Sequence, residues 1–265
     1  MSDLGSARIK EVARLHQKDA RLETGLFLLE GPQGLKDLVG SPELVVEIFA
    51  TTTALDRYSA EFGALSAAGC NVVGVSEKTM ERISDTKTPQ GVVAVLRQFE
   101  IELDDLVTSQ PRLVAVLDRI QDPGNAGTVL RAADAAGADG VVLSKQSVDL
   151  YNPKLVRSTA GSLMHIPAAT EVDTLLTIAK LQAVGMQVFA TGGGGEPLTA
   201  LGSEVLSKPT AWVFGNEASG VSQAIVDACD KTVAIPIYGS AESLNLSTAA
   251  AICLYTSAFA QRANH

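Results

Sequence analysis

The chain has 265 residues, 46% hydrophobic and 19% charged, which is enough to bury one large core or two modest ones in a globular, soluble protein. A formal net charge of −9 argues against a protein that coats nucleic acid nonspecifically, although whole-chain charge leaves a local basic patch open. Cys70, Cys229 and Cys253 form no C-x-x-C pair and read as small buried residues, while His16, His165 and His265 are scattered, so neither a disulfide framework nor a metal-ligand set is visible.

The opening Met1-Ser2-Asp3-Leu4-Gly5-Ser6 contains no apolar signal run, and residues 249–254, the most apolar late run, are too short to span a bilayer. The expectation is a cytoplasmic protein with no membrane part. A charged helix follows, on which Lys10, Arg14, Lys18 and Arg21 fall at i, i+4, i+8 and i+11. That spacing places four cations on one face, where an RNA backbone could bind, or where water could simply solvate them beside Glu11, Asp19 and Glu23. Residues 26–29, 45–51, 71–75 and 92–96 then read as strands, with helices starting at 31–39 and 55–68, giving a small α/β unit over 1–99. The acidic, weakly patterned stretch 100–111 reads as a linker.

From residue 112 to 265 the pattern changes to buried runs at 113–117, 140–143, 187–190, 211–214 and 232–235. These alternate with helical patterns at 126–136, 153–164, 172–184, 222–228 and 247–261. Strict βα alternation predicts a parallel sheet covered on both faces. Gly192-Gly193-Gly194-Gly195 completes no G-x-G-x-x-G register and is followed by no Gly-Lys-Ser/Thr, so it reads as a flexible loop near a ligand rather than a phosphate loop. No G-x-S-x-G hydrolase elbow occurs. The last helix is apolar or small almost all round, as in an internal helix or one buried by a second copy of the chain.

Three segments at predicted strand-to-helix junctions carry the chemistry. The first is Asn125-Ala126-Gly127-Thr128-Val129-Leu130-Arg131, the second Gly215-Asn216-Glu217-Ala218-Ser219-Gly220. The third runs from Ile235-Pro236-Ile237-Tyr238-Gly239 to Ser243-Leu244-Asn245-Leu246-Ser247. Asn125 and Gly127 suit a tight junction or a plain helix cap, and two glycines flanking Glu217 leave room for a flat ligand or form an ordinary turn. Ser243-Leu244-Asn245 also suits a polar cap on the last helix.

In order and content, N-x-G-x-x-x-R, G-x-E-x-x-G and I-P-x-x-G with S-L-N-x-S resemble the motifs of the SpoU-type (TrmH-like) ribose 2′-O-methyltransferases of the SPOUT superfamily. The segments Phe27-Leu28-Leu29-Glu30-Gly31 and Pro89-Gln90-Gly91-Val92-Val93-Ala94 resemble those of its L30e-like substrate-binding domain. The resemblance implies an α/β chain: a small N-terminal L30e-like domain, then a C-terminal parallel-sheet domain with a deep trefoil knot, dimerising through that second domain. It implies S-adenosyl-L-methionine as cofactor, no metal, and structured RNA as substrate. Ribosomal RNA is favoured because of the L30e-like domain, with tRNA ribose methylation or a non-catalytic RNA-binding module of the same fold as alternatives. It further implies catalytic roles for Arg131, Asn125, Glu217, Ser243 and Asn245, and cofactor contacts from Gly215, Ile235, Ile237, Gly239 and Leu244, with Thr191 and Gly192 on the adjoining loop. The family's arginine is described as a general base. A guanidinium that stays charged, clamps an RNA phosphate and stabilises the forming alkoxide avoids the cost of neutralising an arginine near pH 7. A bland alternative pairs Arg131 with Asp134 on the same helix.

Overall fold

The computed structural model describes residues 5–263; residues 1–4, 264 and 265, and with them most of the opening segment and His265, lie outside the described part. The chain divides into two units, one comprising Met1–Phe99 with Tyr151–Met164, the other Glu100–Leu150 with His165–His265.

In the first unit, β1 (Leu26–Glu30), β2 (Val45–Thr51), β3 (Val72–Val75) and β4 (Val92–Arg97) form a sheet of order β1-β4-β2-β3. β4 runs antiparallel to β1 and β2, and β2 runs parallel to β3. Leu28, Phe49, Val93 and Val95 bury one face of this sheet against Ile9, Val12 and Leu15 near the N-terminus and Met80 and Ile83. The last two belong to a helix, Glu77–Ile83, that periodicity did not announce; Ser76 starts it by accepting a hydrogen bond from the Thr79 amide at 3.2 Å. Seven residues are too few for a helical repeat to declare itself.

The N-terminal charged helix is two helices, Ser6–Arg14 and Lys18–Thr24. The break corrects the expected four-cation face. Lys10 and Arg14 ride on one helix and Lys18 on the next, while Arg21 is only 2% exposed and donates from Nη1 to the Leu15 carbonyl at 2.9 Å. Arg14 pairs with Glu23 at 3.1 Å.

The segment Tyr151–Met164 is the discontinuous part of this unit. Tyr151 stacks at 4.5 Å from Phe27, and its hydroxyl accepts a hydrogen bond from the Phe99 amide at 2.7 Å. The single helix expected over 153–164 ends at Ser158, because Ala160 and Gly161 take left-handed backbone angles (φ 50° and 103°) before a short 3-10 turn, Ser162–Met164.

The second unit is a six-stranded sheet of β5 (Leu113–Leu117), β6 (Gly140–Ser144), β7 (Ala168–Val172), β8 (Gln187–Pro197), β9 (Thr210–Phe214) and β10 (Lys231–Ala234). Its order is β10-β8-β9-β5-β6-β7, and every neighbouring pair is parallel, as the βα alternation predicts. β5, β6 and β9 are buried at every position, the signature of strands covered on both faces. β7, absent from the sequence reading, is an edge strand that turns polar toward its end, so it lacks that signature. From β5 the chain moves outward to β6 and β7, then restarts on the other side with β8, which leaves a topological switch point at the C-terminal ends of β5 and β9.

Two expectations change here. Residues 100–111 do not form a plain spacer: they carry the helix Leu103–Thr108, whose Leu103 and Leu106 are buried with Val114, Val142 and Leu181 in the core of the second unit. The four glycines do not form a flexible loop either. They lie within β8, where residues 191–195 stand between Ala190, the partner of Thr232, and Glu196, the partner of Val233. A Cβ on Gly195 would sit 2.5 Å from the Thr232 backbone, so only glycine fits at this position of the long bulge. Among the described residues no helix is long and apolar enough to cross a membrane, and no group of three or more His, Cys, Asp or Glu is placed to hold a metal ion.

Candidate active site

The switch point is where the three sequence segments meet. After β5, Asp122 caps the helix Pro123–Ala136 by accepting a hydrogen bond from the Asn125 amide at 2.7 Å, with Pro123 in the first turn. The helix thus begins three residues before the expected start at Ala126. Asn125 occupies its first turn rather than its cap, and Arg131 moves from the second turn to the third.

The first-turn position aims the Asn125 amide at both other segments. Its Nδ2 donates to Glu217 Oε1 at 3.3 Å, and its Oδ1 accepts from Asn245 Nδ2 at 2.9 Å. The Glu217 carboxylate also accepts the backbone amides of Gln121 and Asp122, each at 3.3 Å. A single chain of side chains, Glu217 to Asn125 to Asn245, therefore ties the three motifs together, with the carboxylate set against amide groups where a helix begins. Asn245 has two jobs: its Oδ1 caps the last helix, Leu246–Arg262, accepting from the Ser247 and Thr248 amides at 2.9 and 3.4 Å, while its Nδ2 serves the site.

The loop after β9 is shaped by backbone approach. A Cβ on Gly215 would stand 2.2 Å from the Gly220 carbonyl carbon and 2.3 Å from the Val221 nitrogen, so this position admits only bare backbone. Asn216 holds the turn: its Oδ1 accepts from the Ala218 and Ser219 amides at 3.0 and 3.2 Å, and its Nδ2 donates to the Arg119 carbonyl at 2.8 Å. Sequence reasoning passed over Asn216, although an asparagine straight after a strand-ending glycine signals such a turn.

These elements wall a cavity of about 480 Å³. Of the residues expected at the site, it gathers Asn125, Thr191, Gly192, Gly215, Glu217, Ile235, Ile237, Ser243, Leu244 and Asn245. Thr191 anchors the glycine run by donating from Oγ1 to the Val213 carbonyl at 3.0 Å. Val233, Glu242 and Ala249 also line the cavity and carried no distinguishing signal in the sequence. Two expected residues lie outside it. Gly239 lines a neighbouring apolar groove of about 630 Å³ with Leu198, Tyr238 and Ile252. Arg131 is exposed and six residues beyond Asn125, about 9 Å along the helix axis at 1.5 Å per residue. Arg131 makes no hydrogen bond or ion pair among the described residues, and Asp134, its bland partner, instead meets His165 Nδ1 at 3.2 Å.

The cysteines take no part in the cavity. Cys253 is buried, as expected, whereas Cys70 and Cys229 are only partly so. Burial pushes the Cys253 thiol up to about 12, and burial with the neighbouring Asp230 carboxylate does the same for Cys229.

Residues 112–255, more than half of the chain, match the SpoU rRNA Methylase family. The chain belongs to that family. Residues 6–94 match the MRM3-like substrate binding domain, so a recognised substrate-binding module precedes the SpoU part. Over 249 residues, 94% of either chain, this SpoU protein is 34% identical to the 23S rRNA (guanosine(2553)-2′-O)-methyltransferase RlmP of Bacillus subtilis. The crystal structure of an AdoMet-bound rRNA methyltransferase from Sinorhizobium meliloti superposes with a TM-score of 0.84 at 31% identity, covering 97% of this chain and 96% of that one. The AdoMet complex of the SpoU methyltransferase AviRb from Streptomyces viridochromogenes gives 0.84 at 28% identity, covering 98% and 99%.

Proposed function

We propose that this protein transfers the methyl group of S-adenosyl-L-methionine to a ribose 2′-hydroxyl of structured RNA, with ribosomal RNA as the substrate. The observation that carries the reading is the Glu217–Asn125–Asn245 chain beside a glycine-floored cavity, in a SpoU chain whose named relatives include a 23S rRNA 2′-O-methyltransferase. The cavity fits the donor: bare backbone at Gly215, and apolar walls from Ile235, Ile237 and Leu244 suit a flat ring, while Ser243 and Asn245 offer polar groups at one side. When bound, the donor supplies an electrophilic methyl on a sulfonium. The chain's part is to hold the ribose oxygen in line and to meet the negative charge growing on it.

Arg131 supplies that charge as a lasting cation. It stands outside the cavity of its own chain, which fits delivery by a second copy in a homodimer. The apolar face on and beside the last helix suits such a dimer: Tyr238 is 89% and Phe259 69% exposed, with Ile237 and Ile252 partly so. The resemblance to SPOUT enzymes further supports a deep trefoil knot in the segment 235–247, action in the cytoplasm, and an RNA-recognition role for the first unit. Within that unit the exposed Lys10, Arg14 and Lys18 fit phosphate contacts.

Nucleotide-resolution mapping of ribose methylation, in 23S rRNA and in tRNA incubated with the protein and the donor, tests the reading. One methylated ribose in rRNA is the expected result. Methylation confined to tRNA moves the substrate, and RNA binding without transfer returns the chain to a binding module.

A further inference from the structure

The first unit holds a second cavity, of about 270 Å³, on the two sequence segments that the catalytic reading leaves unused. Gly31 at the end of β1 and Gly91 before β4 adopt left-handed angles (φ 92° and 80°), and the space a Cβ would take at Gly31 is filled by two amides, Gln33 Oε1 at 2.7 Å and Gln90 Oε1 at 2.9 Å. Both glutamines are exposed, and neither side chain makes a hydrogen bond to another described residue. Two polar atoms of the lining are buried without a hydrogen-bond partner, Ser84 Oγ and Arg157 Nη1. Arg157 is held by Asp85 at 2.8 Å through Nη2, with Glu30 Oε1 at 3.6 Å from Nη1. Glu30 itself is engaged, accepting from the Asp85 amide and the Thr86 hydroxyl at 2.9 and 3.1 Å. Leu29, Val92 and Val156 supply apolar walls.

Buried polar atoms without partners are rare and costly, and two of them lining one small cleft beside two exposed amides mark a place for a polar ligand. Apolar walls with donors and acceptors at the floor and rim suit a flat heteroaromatic ring read along its edge. We propose that this cleft takes a single unpaired RNA base. The guanidinium donor on the floor selects a base with a carbonyl oxygen, guanine, uracil or cytosine, over adenine, and the two glutamine amides read the remaining edge. The proposal rests on RNA being the substrate, and it locates the reading of a base at the β1 and β4 ends, leaving phosphate contacts to the N-terminal helices.

The full-length protein, in vitro transcribed 23S rRNA and two variants test this. Gln33→Ala with Gln90→Ala removes exposed amides, and Ser84→Ala removes an unpartnered hydroxyl whose loss should not weaken the fold. Each should raise the KM for RNA about tenfold, with kcat, donor affinity and melting temperature unchanged. A wild-type enzyme that methylates rRNA while both variants keep its KM overturns the cleft and leaves the activity standing. The side-chain amide NMR signals of Gln33 and Gln90 need no methyl transfer. Shifts with uridine 5′-monophosphate and not with adenosine 5′-monophosphate support the cleft even if transfer fails, and shifts with neither or equally with both overturn it whatever transfer shows.

Discussion

Two cavities of this chain are built on opposite plans. The one in the second unit is drawn from loops at the switch point of a parallel sheet, and a hydrogen-bonded frame runs through it: Glu217, Asn125 and Asn245 form a linked series, and the Asn216 side chain makes four hydrogen bonds to three residues. The cleft in the first unit leaves Ser84 Oγ and Arg157 Nη1 buried without a hydrogen-bond partner, with the exposed amides of Gln33 and Gln90 beside them. A satisfied network is a preorganised frame, which suits a site that must hold a cofactor and reacting atoms in one geometry. Unmet groups suit a site completed by its ligand. The contrast divides chemistry from recognition, and substitutions in the second unit can break or sharpen that division.

Arg131 gives the largest expected effect. Arg131→Ala should lower kcat by about 10²–10³-fold, the scale of losing one charge-stabilising donor, and leave donor affinity alone because the side chain does not line the cavity. Equal loss of donor binding in isothermal titration would put Arg131 in the cofactor site instead. Arg131→Lys should also be nearly inactive, since lysine lacks the planar fork for phosphate, and near-normal turnover would end the clamp role.

Gly215→Ala is next. The added Cβ would meet the Gly220–Val221 backbone at 2.2–2.3 Å, and an overpacking cost of about 1–3 kcal/mol should weaken donor binding roughly tenfold to a hundredfold. RNA affinity should hold in filter binding, because the loop belongs to the unit that performs the chemistry. A parallel fall in RNA affinity would erase the division.

Asn245 allows a finer separation, since its two side-chain atoms do different work. Asn245→Ala removes both the cap on the last helix and the link to Asn125, so it should cost about 1 kcal/mol of stability as well as activity. Asn245→Asp keeps an oxygen for the cap and sets a carboxylate against Asn125 Oδ1. Thermal melting should therefore be close to wild type for the aspartate while turnover falls for both. A fully active aspartate variant would show that the cap alone matters.

How much of this was legible follows from the same contrast. The parallel sheet announced itself because β5, β6 and β9 are apolar at almost every position. The site was legible through the order and content of three motifs that resemble those of the SpoU-type methyltransferases, each at a junction between strand and loop or loop and helix. Ten of the residues expected there line one cavity. Illegible were short or edge elements such as the helix Glu77–Ile83 and β7, whose patterns are too brief or too polar to show a period. The cationic face failed because helical spacing was counted through a break after Arg14 that charged residues do not mark. The first-unit cleft was hidden more deeply: Gly31, Ser84, Gln90 and Arg157 come together only through tertiary folding, and no local spacing joins residue 157 to residue 31.

The smallest effect is a difference in alkaline stability between the two units. Cys229 and Cys253, both in the second unit, hold their protons up to about 12 in the folded state against an ordinary thiol value of 9.0. The folded state binds these protons more tightly than the unfolded state does, so their contribution is fully present below pH 9 and is lost as pH rises toward 12. Cys70, in the first unit, is also raised by burial, but it is a single thiol. Trp212, the chain's one tryptophan, is buried in β9 with its indole N–H on Ser257 Oγ at 2.9 Å, so its fluorescence follows the second unit. Denaturant midpoints read from Trp212 should fall between pH 9 and 12, and fall less in a Cys229→Ala, Cys253→Ala double variant, because tyrosine and lysine titration is common to both proteins. Identical slopes would mean that the two thiols ionise freely in the folded chain, and that the core around the last helix admits water.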